Sequence, residues 1–126
     1  MIVLDTSVLI DALTGPGRSK AALRKAIERG ERILLPTLVL YEWLRGPRLD
    51  EEIEAQEALF PAATAVSFGP AEAARAAQLY LRLPRARGRE VDLAIAACAL
   101  TLDARLWTLN RKDFRDLPGL QLYDPS

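Results

Sequence analysis

The sequence predicts an α/β fold in three layers, with a central parallel sheet of four to five strands sandwiched between helices. Two observations carry this. Short apolar runs alternate with helical segments along the whole chain, and those runs are apolar at successive residues rather than at every second one, the pattern of strands buried on both faces. Length agrees, because 126 residues is about the commonest size of one domain. A single unit over 1–126 is expected.

Met1 to Leu4 is short, apolar and β-branched at Ile2 and Val3, which predicts a buried first strand. A helix follows from about Thr6 to Leu13, and Thr14-Gly15-Pro16-Gly17 stops it. Ser19 to Arg29 fits a second helix, with Ala22, Leu23, Ala26 and Ile27 on one face and Gly30 at its end. Ile33-Leu34-Leu35 is a second buried strand. Pro36-Thr37 then starts a helix that Gly46-Pro47 closes. Asp50 to Phe60 reads as another helix, Ala63 to Phe68 as a third strand, and Gly69-Pro70 opens an alanine-rich helix to about Leu83. After the loop 84–89, a helix from Asp92 to Leu102 precedes a strand at Leu106 to Thr108. One helical turn around Arg111 to Phe114 and a last strand at Leu120 to Leu122 complete the order.

Composition removes several functional classes. Histidine is absent, so no imidazole can act as base, acid or ligand, and the usual serine and cysteine triads are excluded. Cys98 is the one cysteine and lies in an apolar run, where it reads as a small core residue. Seventeen basic side chains balance seventeen acidic ones, so any affinity for a polyanion has to come from local clusters. The amino-terminal run has no basic leader and is interrupted by Asp5, which argues against a secretory signal. The stretch from Ile33 to Leu44 contains Pro36 and Glu42 and falls short of the roughly 20 apolar residues of a membrane span. The expectation is a cytoplasmic protein with no membrane segment.

Acidic residues recur where predicted strands give way to helices: Asp5, Glu42, Asp92 and Asp113. Right-handed crossovers bring strand carboxyl ends to one edge of a parallel sheet, so acids distant in sequence can meet there. Each has an ordinary explanation when taken singly. Asp5 and Asp92 suit helix caps or first turns, Glu42 could pair with Arg45, and Asn110 and Asp113 are common turn residues. Thr6 can cap in place of Asp5, and Thr6 and Ser7 can orient carboxylates or water. Several carboxylates brought together repel unless a proton or cation relieves them.

In this arrangement the chain resembles the PIN-domain nucleases, and within them the VapC-type ribonuclease toxins of prokaryotic toxin–antitoxin pairs. The resemblance runs through Ile2-Val3-Leu4-Asp5-Thr6-Ser7, Leu35 to Gly46 with Glu42, Asp92 to Leu100, and Leu106-Trp107-Thr108-Leu109-Asn110-Arg111-Lys112-Asp113-Phe114. It implies that Asp5, Glu42 and Asp92 hold Mg²⁺, with Mn²⁺ as a substitute, and hydrolyse RNA. A fourth position, acidic in many members, is Asn110 here, with Asp113 three residues on as a further ligand candidate. Thr108 and Asn110 join Thr6 and Ser7 as supporting polar groups. A homodimer and a cognate antitoxin lying across the site are also implied.

Hard oxygen ligands suit Mg²⁺ or Mn²⁺, and without histidine a metal is the natural activator of water. Substrate phosphates are expected to meet Arg45, Arg85, Arg87, Arg89, Arg111 and Lys112, which cluster beside the acids. Two rival readings stand beside the toxin: an RNA-processing nuclease without an antitoxin, and a catalytically degenerate domain that binds RNA or protein.

Overall fold

The computed structural model describes residues 1–125. Its centre is β1 (Ile2–Leu4), flanked in parallel by β2 (Ile33–Leu34) and β3 (Arg105–Trp107) in the order β2-β1-β3. Ile2 stands opposite Ile33 on one side and Arg105 on the other, and Leu4 opposite Trp107. Successive strand residues point to opposite faces, and Ile2, Val3 and Leu4 are all fully buried, so both faces of the sheet are covered. The layered α/β expectation therefore holds.

The expected count of four to five strands does not. There are three among the described residues, and the two missing ones are reduced to single parallel bridges, Pro36 to Val66 and Leu106 to Leu122. Val66 donates to the Leu35 carbonyl at 2.8 Å and accepts from Thr37 at 2.9 Å, and pairing then stops. Pro61 leads into a 3-10 turn at Ala62–Thr64 on one side, and Pro70 begins a helix on the other. At the opposite edge, Leu106 donates to Gln121 and accepts from Tyr123, between Pro118-Gly119 and Pro125. Proline and glycine on both flanks leave room for one ladder step only.

Among the described residues six helices surround the sheet: α1 (Thr6–Leu13), α2 (Lys20–Glu28), α3 (Thr37–Arg45), α4 (Asp50–Leu59), α5 (Pro70–Arg82) and α6 (Glu90–Thr101). Their limits fall within two residues of expectation. The end of α2 shows how sequence sets direction: Gly30, with φ 84°, bonds to Ile27 and Glu31 to Ala26, a left-handed stop that turns the chain back toward β2.

Helix α6 is the central helix, packed on β1, β3, α3 and α5. Every residue from Leu93 to Ala99 is buried, and four alanines among them let neighbours approach closely. Cys98 lies in this run, fully buried, and burial pushes its thiol up to about 11, consistent with an inert core residue. In α3, Val39 and Trp43 lie four residues apart and face the core, which leaves Glu42 beside the buried stripe. Trp43 and Phe60 belong to the core, whereas Tyr41 and Leu59 are exposed. No helix among the described residues is long and apolar enough to cross a membrane.

Candidate active site

Asp5 follows β1 directly and occupies the position before the first residue of α1, yet its side chain makes no cap bond. It turns instead toward β3. Oδ2 accepts from Thr108 Oγ1 at 2.7 Å and from Ser7 Oγ at 2.9 Å, with the residue 4% exposed. Both donors fall on Oδ2, so Oδ1 lies outside this pair of bonds. Thr108 Oγ1 also accepts from the Asn110 amide at 3.0 Å, and Ser7 Oγ from the Leu109 amide at 3.1 Å. Two hydroxyls thus stitch the end of β1 to the end of β3, beside the backbone bond from Asp5 to the Trp107 carbonyl.

Glu42 is held from the neighbouring chain segment. Thr6, at the first turn of α1, donates to its Oε1 at 2.6 Å, and Arg45 stands 3.5 Å from Oε2. The Glu42–Arg45 pair and the orienting hydroxyl of Thr6 are therefore both present. A hydroxyl bond to a carboxylate is charge-assisted and fixes direction as well as contributing energy.

Asp92 lies in the first turn of α6 and is half-buried. Its carboxyl is pushed up from 3.8 to about 6, chiefly by burial, then by Asp5, Asp113 and Glu42 in that order, while Arg89 favours the charged form. Three acids, Asp5 after β1, Asp113 in the turn after β3 and Glu42 in α3, thus act on one in α6. Asp113 closes the 3-10 turn Arg111–Asp113 and exerts its charge on Asp92. Asn110 precedes that turn with an exposed side chain that makes no cap bond. The fourth negative charge near Asp92 is therefore that of Asp113.

Among the described residues, no group of three or more acidic or thiol side chains is drawn up into a ready-made cation cage. Asp5 is held by two hydroxyls and Glu42 by Thr6 and Arg45. The donor set is hard oxygen throughout, which fits Mg²⁺ or Mn²⁺.

The basic residues divide. Arg45 pairs with Glu42 and lies over the Tyr41 ring at 5.4 Å. Arg111 donates to the Tyr123 carbonyl at 3.2 Å. Arg85, Arg87 and Lys112 lie on the surface, and Arg85 and Arg87 flank the buried Ala86. Arg89 is engaged by Asp116 at 2.9 and 2.8 Å, a pair at the surface in which its side chain is 23% exposed. Sequence alone does not point to Asp116. It sits in a turn 27 positions from its partner, where no spacing pattern betrays it.

The PIN domain family matches residues 2–120, and the chain belongs to that family. Within it the likeness is to VapC-type proteins. Over 124 residues the chain is 35% identical to Ribonuclease VapC19 of Mycobacterium tuberculosis, covering 96% of this chain and 98% of that protein. The fold recurs in a DNA-bound VapBC complex from Salmonella typhimurium, with TM-score 0.80, 20% identity and coverage of 99% and 98%. It recurs in VapBC-1 of nontypeable Haemophilus influenzae, with TM-score 0.72, 25% identity and coverage of 99% and 98%.

Proposed function

We propose that this protein is a Mg²⁺- or Mn²⁺-dependent endoribonuclease and the toxin of a toxin–antitoxin pair. The observation that carries the reading is Asp92, half-buried at the start of α6, whose carboxyl is raised to about 6 by burial and by the charges of Asp5, Asp113 and Glu42. Perturbed groups gather at functional sites. The 35% identity to a protein named as a ribonuclease supports RNA as the substrate. The fold shared with VapBC complexes supports an antitoxin partner.

In this reading Asp5, through Oδ1, and Asp92 are the principal ligands, with Asp113 as a further one. Both Glu42 oxygens are already engaged, which suits it to reach the cation through water. When bound, the cation supplies Lewis-acid stabilisation of phosphoryl charge and activation of the attacking water. Thr6, Ser7 and Thr108 keep the carboxylates aimed, and Asn110 braces the turn through its backbone bond to Thr108. Arg45, Arg85, Arg87, Arg111 and Lys112 contact substrate phosphates, which gives affinity without sequence choice. In this reading Asp113 supplies the charge that Asn110 lacks, and its effect on Asp92 weighs against the degenerate-domain alternative.

The test is incubation of purified protein with total cellular RNA and Mg²⁺ or Mn²⁺, followed by mapping of new ends. Cleavage at discrete positions is expected, abolished by chelator and reduced about 10³-fold by Asp5→Asn, since the metal contributes several kcal/mol to the barrier. Retained activity in the purified variant would remove the assignment. A homodimer is part of the proposal, with exposed Tyr80, Leu81 and Val91 as candidates for its contact. Light scattering that finds only monomers at high concentration would oppose it.

A further inference from the structure

We infer that Arg89 is a positioning residue, clamping the 113–116 segment so that Asp113 stands at a fixed place relative to Asp92. The inference rests on the metal-centre reading above and deepens it. Arg89 lies just before α6, three residues ahead of Asp92. Its Nη1 donates to Asp116 Oδ2 at 2.9 Å and its Nη2 to Asp116 Oδ1 at 2.8 Å, a two-pronged match of guanidinium to carboxylate. Nη2 also donates to the Asp113 backbone carbonyl at 2.8 Å. That third bond falls on the residue assigned as the additional acid.

Both sides of the clamp are fixed. The Arg89 amide donates to Ala86 and its carbonyl accepts from Leu93, so its backbone is part of the start of α6. On the other side Phe114 and Leu117, flanking Asp116, are 1% and 4% exposed. The 113–116 segment is thus tied to the core by its apolar residues and to α6 by Arg89. An ion pair between two free surface chains contributes little, but a bidentate one joining two anchored segments constrains geometry. The Arg89 side chain is only 23% exposed, against 59% for Arg45, which sets it apart from a free phosphate contact.

Charge alone and positioning predict opposite signs, and this makes the inference testable. Removing a cation beside an acidic pocket should tighten divalent metal binding if only Coulomb's law acts. If Arg89 sets geometry, its removal should loosen binding, as loss of groups that orient metal ligands commonly costs about tenfold or more. Arg89→Lys keeps the charge and loses the fork, so positioning predicts weaker binding and charge alone predicts no change.

Mn²⁺ titration calorimetry on the full chain and on Arg89→Ala, Arg89→Lys, Asp116→Ala and the double alanine variant decides the matter. Thermal melts of each accompany it. We expect each single variant to bind Mn²⁺ about tenfold more weakly, and the double variant no worse than either alanine single, because the two act as one unit. Tighter or unchanged binding in Arg89→Ala would overturn the inference. So would full affinity in Arg89→Lys, the deciding variant should the alanine form fail to fold. An increase in KM for RNA with Mn²⁺ affinity intact would return Arg89 to the substrate surface and likewise overturn it. Asp5→Asn is the control that separates the two layers. If it takes up Mn²⁺ as the parent does, the metal centre itself is wrong; if it loses Mn²⁺ while the Arg89 variants keep it, only the clamp is wrong.

Discussion

Asp5 and Asp92 stand at the beginnings of two different helices, yet their surroundings treat charge in opposite ways. Asp5 is almost fully enclosed and accepts two hydroxyl bonds on one oxygen. Asp92 is less enclosed, and among the described residues only Arg89 favours its charged form, against burial and three neighbouring acids. One carboxylate is tied by two donors. The other carries its charge against burial and three neighbouring acids, and a cation or a proton relieves it. The difference teaches where binding energy should be released: at the α6 side of the pocket, while the β1–β3 side supplies a fixed reference against which it is measured.

The largest effect that can break this contrast is on stability. Asp92 has a folded-state pKa near 6 against 3.8 unfolded, so the folded protein binds the extra proton between these values. Stability therefore falls as pH rises from about 4 to 6, and the penalty is complete above that window. A shift of this size corresponds to at most about 3 kcal/mol, and to about 2 once solvent screening of a half-buried group is allowed for. Asp92→Asn should accordingly stabilise the metal-free protein by about 2 kcal/mol at about pH 7.5 and leave it unchanged near pH 3.5. Urea melts at the two pH values read this directly. Saturating Mn²⁺ should reverse the order at the higher pH, since the parent gains binding energy that the variant lacks. An Asn variant less stable in the metal-free form there would mean that Asp92 is as well compensated as Asp5, and the contrast would be lost.

The opposite side is tested through its hydroxyls. Thr108→Val preserves shape and deletes the donor to Asp5, whose buried Oδ2 then keeps Ser7 alone. Stability should fall by about 1 to 1.5 kcal/mol, within the usual range for a hydrogen bond lost in the interior, and RNA cleavage should drop about tenfold as the ligand loosens. Chemical denaturation and initial rates measure the two. If the variant is as stable as the parent, the β1–β3 end is not the rigid half, and Asp5 has to be held by something other than the threonine.

These contrasts also explain what the sequence can and cannot disclose. Strand order alone predicts that Asp5, after β1, and Asp113, in the turn after β3, leave the same edge of the sheet, because neighbouring parallel strands end together. The side chains then do what local rules do not foresee. Asp5 occupies a capping position but turns away from its helix toward Thr108, a partner 103 residues distant that becomes available only when β3 pairs with β1. The apolar runs at Ala63 to Phe68 and Leu120 to Leu122 look like full edge strands until the flanking proline and glycine, which limit each to one bridge, are weighed. Arg89 resembles its neighbours Arg85 and Arg87 in sequence, because clustering is the only visible signal. Its engagement with Asp116 depends on how a turn folds back across α6, which no periodicity encodes.

The far end of α6 offers the smallest test and an internal control. There Asp103 adopts φ 52°, and the amides of Asp103 and Ala104 bond to Leu100 and Ala99, the left-handed stop that Gly30 makes for α2. Aspartate tolerates this conformation better than most side chains but not as well as glycine. Asp103→Gly should therefore raise stability by about 0.5 to 1 kcal/mol, with the gain reduced by the greater freedom of glycine in the unfolded chain. The two ends of α6 would then carry strained acids with different fates: relieving Asp92 stabilises the fold and removes cleavage, whereas relieving Asp103 stabilises it and leaves cleavage untouched. Melting curves and RNA cleavage rates on the two variants measure this. A loss of cleavage in Asp103→Gly would mean that strain at one end of α6 reaches the other, and the stress on Asp92 could no longer be treated as local.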